Sequence, residues 1–373
     1  MSEIFAHCKK LGFGCMRLPM KDEKVDHAAF CDMIDAFMEA GFCYFDTARG
    51  YHSGQSETAL RECLVARYPR DRYVLVNKLS GSYFNTEEGI LPFFESQLEA
   101  CGVDYFDLYL MHAQDRKLYE KYKRCRAYET ALALKEEGRI RHFGISFHDK
   151  AEVLEQILTE YPQIEAVQIQ FNYADYEDAS VQSRRVYEVC RKFGKPVIVM
   201  EPVKGGSLVR LPEEAQRILD DLKGGSAASY AIRFAAGFEG VEMVLSGMGS
   251  MEMVLDNTGY MKDFRPLDER ERAAIDRVRD IFRQQGLVSC TACGYCLDGC
   301  PLRIPIPDLF ACLNGRKVFH NWNTKYYYSV HTQDRGKAGD CIGCGRCEDI
   351  CPQHLPIREL MKDVAREFEK PKS

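Results

Sequence analysis

Eight short runs of aliphatic, β-branched and aromatic residues recur between residues 12 and 248, each separated from the next by a longer stretch of helical periodicity. They are GFGCM (12–16), CYFDT (43–47), YVLVNK (73–78), YFDLYLM (105–111), RHFGIS (141–146), EAVQIQF (165–171), PVIVME (196–201) and MVLSGM (243–248). Between them lie segments such as DHAAFCDMIDAFMEAG, whose apolar residues return at helical spacing before a terminal glycine. Eight such alternations over about 250 residues predict an α/β fold, a closed (β/α)8 TIM barrel rather than an open sheet. A doubly wound sheet would need a glycine fingerprint after its first strand, and GFGCMRLP is not followed by the required helix start. The barrel is expected over residues 1–265. The charged segment LDERERAAIDRVRDIFRQQG predicts a linking helix at 266–286, which leaves 287–373 for a second, small domain.

A chain of 373 residues suits one barrel plus a small module. With 46% hydrophobic and 28% charged residues it has material for a sizeable core and no signature of disorder. A net charge of −6 without any basic run argues against nucleic acid as a partner. No apolar stretch approaches a membrane span, and the start MSEIFAHCKK lacks the layout of a secretion signal, so a cytoplasmic protein is expected. The 17 cysteines are unevenly spread: eight fall in 1–190, none in 191–289, and nine in 290–351. The eight scattered ones read as buried small hydrophobes in a reducing compartment. The nine crowded ones need another explanation.

Barrels of this kind do their chemistry at the C-terminal ends of the strands. The second run ends in Asp46, and the loop after it carries Tyr51; the third ends in Lys78 and the fourth leads into His112. A lysine or aspartate closing an apolar strand is costly to bury unless paired, and these two can pair with each other. Taken singly, Tyr51 is one of 20 tyrosines, and a lone histidine is commonly a satisfied core residue. On three successive strands the four together mark a candidate catalytic group.

The motifs FDTARGY, NKL and LYLMH resemble the aldo-keto reductases, over roughly residues 10–260. The resemblance implies a catalytic tetrad of Asp46, Tyr51, Lys78 and His112, acting on a small-molecule carbonyl or alcohol. In the implied reaction a nicotinamide gives hydride to the carbonyl carbon and Tyr51 gives a proton to its oxygen. Lys78, held by Asp46, makes the phenol more acidic, and His112 orients the carbonyl. The resemblance also implies cofactor contacts from Met16, Arg17, Asp46, Met200, Glu201, Pro202, Lys204, Gly206, Gly247, Met248 and Ser250. Ser146 and Gln168 fall where the carboxamide is held, and Asp256 and Asn257 where adenine contacts are expected. Three departures stand out: Phe147 replaces the usual asparagine, Met200 replaces the aromatic residue that stacks on the ring, and Gly247 and Met253 replace the cations that grip a 2′-phosphate. Losing both cations removes the charge-assisted bonds that favour NADP. NADPH and NADH both stay open, with Lys204 the candidate compensating cation.

The crowded cysteines form two copies of C-x2-C-x2-C-x3-C-P, the bacterial ferredoxin run: CTACGYCLDGCP and CIGCGRCEDICP. In that pattern the fourth cysteine of each run serves the other cluster. Cys290, Cys293, Cys296 and Cys351 are thus assigned to one [4Fe–4S] centre, and Cys341, Cys344, Cys347 and Cys300 to the second. Structural zinc prefers two separated C-x2-C pairs, and neighbours this close would make strained disulfides. Cys312, outside both runs, reads as a core residue. The aromatic insert with Trp322 and Tyr326 to Tyr328 is expected to shield the clusters or to pack on the main domain. With its tail, the chain resembles the bacterial aldo-keto reductases that carry a ferredoxin-like α+β extension. Clusters pass single electrons and nicotinamide passes a hydride, so three functions are weighed: a nicotinamide-dependent oxidoreductase with clusters that sense, brace or dock; an electron-transfer enzyme using a flavin or a ferredoxin- or flavodoxin-type partner; and a non-catalytic redox sensor or electron carrier. The substrate rests on the mouth loops 80–89, 112–125 and 172–178.

Overall fold

The computed structural model describes residues 3–177, 181–319, 325, 328–329, 331–332 and 335–369. Of the aromatic insert, Trp322, Tyr326 and Tyr327 lie outside the described residues. All eight expected strands form: β1 (Leu11–Gly14), β2 (Tyr44–Asp46), β3 (Val74–Leu79), β4 (Phe106–Gln114), β5 (Ile140–Phe147), β6 (Ala166–Gln170), β7 (Val197–Met200) and β8 (Val241–Ser246). Each pairs in parallel with its sequence neighbours, and β8 pairs with β1 to close the barrel. Parallel neighbours need crossover connections, and the helices supply them. The first, α1 (His27–Glu39), starts where the Asp26 carboxylate accepts from the Ala29 amide at 3.1 Å. It buries Phe30, Met33, Ile34 and Phe37, an i, i+3, i+4, i+7 stripe. Phe30 and Phe37 meet Phe13 of β1 edge-on at 5.7 and 5.4 Å. Each such burial contributes about 1.5–3 kcal/mol.

The barrel interior is filled by Tyr44, Val76, Leu108, Leu110, Ala166, Ile198, Met243 and Leu245, with Ile4 and Phe5 packed on the same cluster. Strand spacing leaves no room for a side chain at Gly144 of β5, where a Cβ would stand 2.6 Å from the Ala166 carbonyl oxygen.

Two cysteine pairs depart from the sequence reading. Cys15, Cys101, Cys125 and Cys190 are buried free thiols, as expected. Cys31 on α1 is instead bonded to Cys63, with Cα atoms 4.7 Å apart. Cys63 lies in the π-helical turn Arg61–Val65, which continues the short helix α2 (Gln55–Leu60). The sulfurs of Cys8 and Cys43 stand 2.6 Å apart. In both cases the fold brings together residues that are remote in sequence.

The chain divides into two compact units. The first comprises residues up to Glu177, Gln182–Pro202 and Ala228–Leu267. The second takes in the chain from Asp268 onward together with Val203–Ala227, a segment that the sequence reading assigned to the barrel. Helix Glu213–Asp220 packs on the charged helix Glu269–Gln285, and Arg270 Nη2 donates to the Asp221 carbonyl at 3.1 Å. That charged helix begins behind a capping box made by Asp268 and Glu271. Where an α+β tail was expected, the described residues of this unit form helices and turns. Its core gathers Ile304, Ile306, Leu309, Phe310, Leu313, Ile357, Met361 and Val364, and Cys312 is buried among them.

Gly205 binds the unit together. It sits at φ 64°, and a Cβ there would come 2.1 Å from the carbonyl oxygen of Thr291, between Cys290 and Cys293. Gly205→Ala is expected to destabilise the second unit by about 2 kcal/mol or more, read as a lower unfolding temperature and reduced iron retention. Parental values for both would contradict this packing.

Candidate active site and cluster cysteines

Lys78 is fully buried near the end of β3 and Asp46, at the end of β2, is 3% exposed. Lys78 Nζ donates to Asp46 Oδ1 at 2.6 Å, to the Thr47 carbonyl at 2.8 Å and to the Tyr51 hydroxyl at 3.2 Å. Gln168 Nε2, from β6, donates to the other Asp46 oxygen at 3.0 Å. The buried ion pair therefore has its remaining valences satisfied, the condition for tolerating two desolvated charges. The His112 ring stands edge-on to the Tyr51 ring, with centroids 6.3 Å apart. The four residues named from the sequence thus converge.

Local backbone geometry explains how they do so. The β4–β5 register slips between Met111 and Gln114, and Ala113 adopts φ 53°. A bulge of this kind re-aims the neighbouring side chain, here His112. The Ala113 amide donates to Ser146 Oγ at 2.7 Å, which anchors the bulge. Tyr51 opens a tight turn in which His52 and Ser53 are left-handed, at φ 49° and 54°. Beneath it, Thr47 and Ser56 share a hydrogen bond at 2.8 Å, and Ser56 donates to the Cys15 carbonyl at 2.9 Å.

Burial first, then the Asp46 charge, pushes the Tyr51 phenol well above its ordinary value. The net direction is upward even with Lys78 Nζ 3.2 Å from the hydroxyl, because burial outweighs the neighbouring charge. Burial also lowers Lys78, against the opposing pull of Asp46. Burial, then Lys78 and His148, hold His112 well below the usual histidine value, so its ring is neutral.

Sequence reasoning missed two groups. Ser80, just beyond β3, bonds His112 Nδ1 at 2.6 Å. Glu57 is a fully buried carboxylate paired with Arg49, and it accepts from Asn77 Nδ2 at 2.9 Å and Gln97 Nε2 at 3.1 Å. The signal for Glu57 was a glutamate facing inward among the apolar residues of SETALRECL.

The expected cofactor contacts divide. Ser146 and Gln168 lie beside the tetrad, 1% and 2% exposed. Arg17 Nη2 is 4.0 Å from Glu201, and a Cβ at Gly247 would rest 3.4 Å from the Arg17 side chain. Met16 and Met200 are half-buried, Met248 and Pro202 buried, and Asp256 exposed. Ser250 caps helix Met251–Met261, accepting from the Met253 amide at 3.4 Å. Asn257 donates to Ser246 Oγ at 2.8 Å and accepts from the Tyr260 hydroxyl at 2.6 Å. These bonds use one amide hydrogen and one oxygen lone pair of Asn257. Lys204 and Gly206 belong to the second unit.

In the second unit, Cys300 from the first run lines one cavity with Cys341, Cys344 and Cys347 from the second. After burial, the influences that push the Cys296 thiol up come from Cys293, Cys290 and Cys351. Backbone amides also address the sulfurs, Ala292 N to Cys290 and Ile304 N to Cys300, both at 3.4 Å. Two sets of four cysteines, each fed by both runs, fit two [4Fe–4S] clusters.

Residues 10–280 match the aldo/keto reductase family, and 289–356 match a 4Fe-4S dicluster domain. An aldo-keto reductase of Mycolicibacterium smegmatis is 28% identical over 210 residues, 54% of this chain and 67% of that protein. The NADH-specific methylglyoxal reductase of Escherichia coli is 27% identical over 195 residues, 47% of this chain and 57% of that one. Among solved structures, an aldo-keto reductase from Klebsiella pneumoniae in complex with NADPH superposes with a TM-score of 0.57 at 21% identity, covering 72% of this chain and 90% of its own. A closed barrel with this match over most of its length defines the class. The chain belongs to the aldo/keto reductase family, with a 4Fe-4S dicluster domain at its C-terminal side.

The crossed ligation predicts an asymmetry between paired variants. Cys300→Ser with Cys341→Ser removes ligands from one cluster and is expected to leave about four irons per chain. Cys351→Ser with Cys341→Ser strikes both, and iron content is expected to approach zero. The opposite pattern would return each fourth cysteine to its own run.

Proposed function

We propose that this protein is an oxidoreductase that reduces a small carbonyl compound, or oxidises the matching alcohol, with NADH or NADPH. The observation that carries the reading is the hydrogen-bonded line Asp46–Lys78–Tyr51 with His112 against the tyrosine ring. Bound nicotinamide would supply the hydride. Tyr51 is the proton donor: its raised pKa keeps the hydroxyl protonated, the form that reduction requires. Lys78 holds the hydroxyl in place at 3.2 Å, and its charge opposes the negative charge that develops when the proton leaves. In the tautomer that accepts from Ser80 at Nδ1, neutral His112 presents Nε2–H to the carbonyl oxygen. Ser146 and Gln168 hold the carboxamide with the hydrogen-bonding capacity their internal bonds leave. The glycines and cap serine of Gly247–Ser250 place helix amides toward the phosphates.

The relatives' names include both an NADH-specific enzyme and an NADPH complex, so the choice of nucleotide is a question for measured affinities. The two cysteine sets hold clusters that supply one-electron chemistry, and we take their place to be regulatory or a meeting point for an electron-transfer partner. No helix among the described residues is long and apolar enough to cross a membrane.

Tyr51→Phe is expected to lower carbonyl reduction by a factor of about 100 or more while nucleotide affinity, read by fluorescence quenching, changes little. Full activity in that variant would remove Tyr51 from its role.

The pH profile follows from the directions of the shifts. A phenol raised above its ordinary value of about 10 stays protonated through neutral and mildly alkaline pH, and a lowered histidine stays neutral above about pH 6. The rate of reduction is therefore expected to be flat from about pH 6.5 to about pH 9 and to fall only above that range. A single-turnover profile that loses its rate near pH 7 would contradict this assignment.

A further inference from the structure

Two pairs of sulfurs in the first 63 residues take no part in the chemistry above. We propose that Cys31/Cys63 and Cys8/Cys43 are two thiol–disulfide couples that exchange with small-molecule disulfides, the first of them fastening the helix that follows the Tyr51 turn. The proposal goes beyond the reductase reading and does not rest on it.

Cys31 and Cys63 have Cα atoms 4.7 Å apart, within the range a disulfide needs. Their approach depends on a local irregularity. The Ala66 amide bonds the Arg61 carbonyl at 2.9 Å, an i to i+5 bond that widens the turn holding Cys63. Arg67 Nη1 donates to the carbonyl oxygens of both Cys31 and Cys63 at 3.3 Å, and its Nη2 pairs with Asp35 at 2.6 Å. These bonds hold the two segments together whether or not the sulfurs are joined, and the guanidinium favours thiolate. Cys31 is half-exposed and Cys63 fully buried, so an external disulfide reaches Cys31.

At the second couple, Cys8 lies three residues before the start of β1 and Cys43 immediately precedes β2, and adjacent parallel strands bring them side by side. Both are half-exposed.

The step balances. The Cys31 thiolate attacks one sulfur of a small disulfide R–S–S–R, forming Cys31–S–S–R and releasing RS⁻. Cys63, losing its proton, attacks the Cys31 sulfur and releases a second RS⁻. Two protein thiols are oxidised, one external disulfide is reduced to two thiols, and the two protons pass to the released thiolates.

The link to Tyr51 is short. Tyr51–Gly54 leads directly into α2, and α2 into the turn that holds Cys63. Closing the bond ties this segment to α1.

The test uses the anaerobic, cluster-loaded full chain in glutathione buffers of rising disulfide fraction, with acid quenching, alkylation and peptide mass mapping. The expected result is two cross-links, 8–43 and 31–63, that grow with the disulfide fraction and reverse in excess thiol, while the iron–sulfur absorption stays constant. Cys31→Ser, or Cys31→Ala if the serine variant folds poorly, should abolish only the 31–63 link. Amide hydrogen exchange over residues 51–60 should slow several-fold on oxidation of the parent and not of the variant. Full alkylation of both pairs in every buffer, or links that resist excess thiol, would overturn the couples. Unchanged exchange at 51–60 on oxidation would overturn the fastening role.

Discussion

A lysine ammonium with no exposure to water has to be answered by charge and hydrogen bonds at once, and much of the first unit is arranged around that requirement at Lys78. The Asp46 carboxylate supplies the charge, while the Thr47 carbonyl and the Tyr51 hydroxyl take the remaining ammonium protons. Gln168 completes Asp46. These groups come from β2, the turn after it, β3 and β6, so the cluster is satisfied only when the barrel has closed in its correct register. Closure and site are one constraint. The Glu57–Arg49–Asn77–Gln97 network is a second buried carboxylate solved in the same way, and it secures the helix behind the tyrosine turn.

Much of this was legible in the chain because the signals are local. Strands covered on both faces read as short continuous apolar runs, and all eight were found. Asp46, Lys78 and His112 were visible as polar residues ending such runs, and the repeated cysteine spacing pointed to cluster ligation. What escaped was non-local or conformational. Ser80 is a small hydroxyl in a loop, with nothing in its neighbours to tie it to His112. The left-handed Ala113 is an ordinary residue in an extraordinary position. Cys31 and Cys63 are separated by 32 positions on different helices, a spacing without local meaning. The direction of the Tyr51 shift depends on how dry the site is, which a sequence does not state.

The cysteine unit repeats its backbone as well as its ligands. Left-handed residues fall at matching places after each run's first cysteines, Ala292 and Gly294 in one and Gly343 and Gly345 in the other, and again at Arg303 and His354. Gly294 and Gly345 each precede a short helix that carries the third cysteine, and Ile306 and Ile357 each open the longer helix behind. Such a two-fold layout explains how the fourth cysteine of each run comes to stand among the first three of the other.

The segment 203–227 leaves the barrel after β7 and returns before β8, yet it packs with the chain from Asp268 onward, through helix Glu213–Asp220 and the close fit of Gly205 to Thr291. The iron–sulfur unit is therefore not confined to the chain that follows the last barrel strand. Recombination that moved only the tail onto another reductase would leave behind a piece of its support, encoded between two barrel strands. A barrel and tail joined in this way must have their sequences adjusted together, and a loop between strands seven and eight that fits such a tail would mark the reductases that have done so.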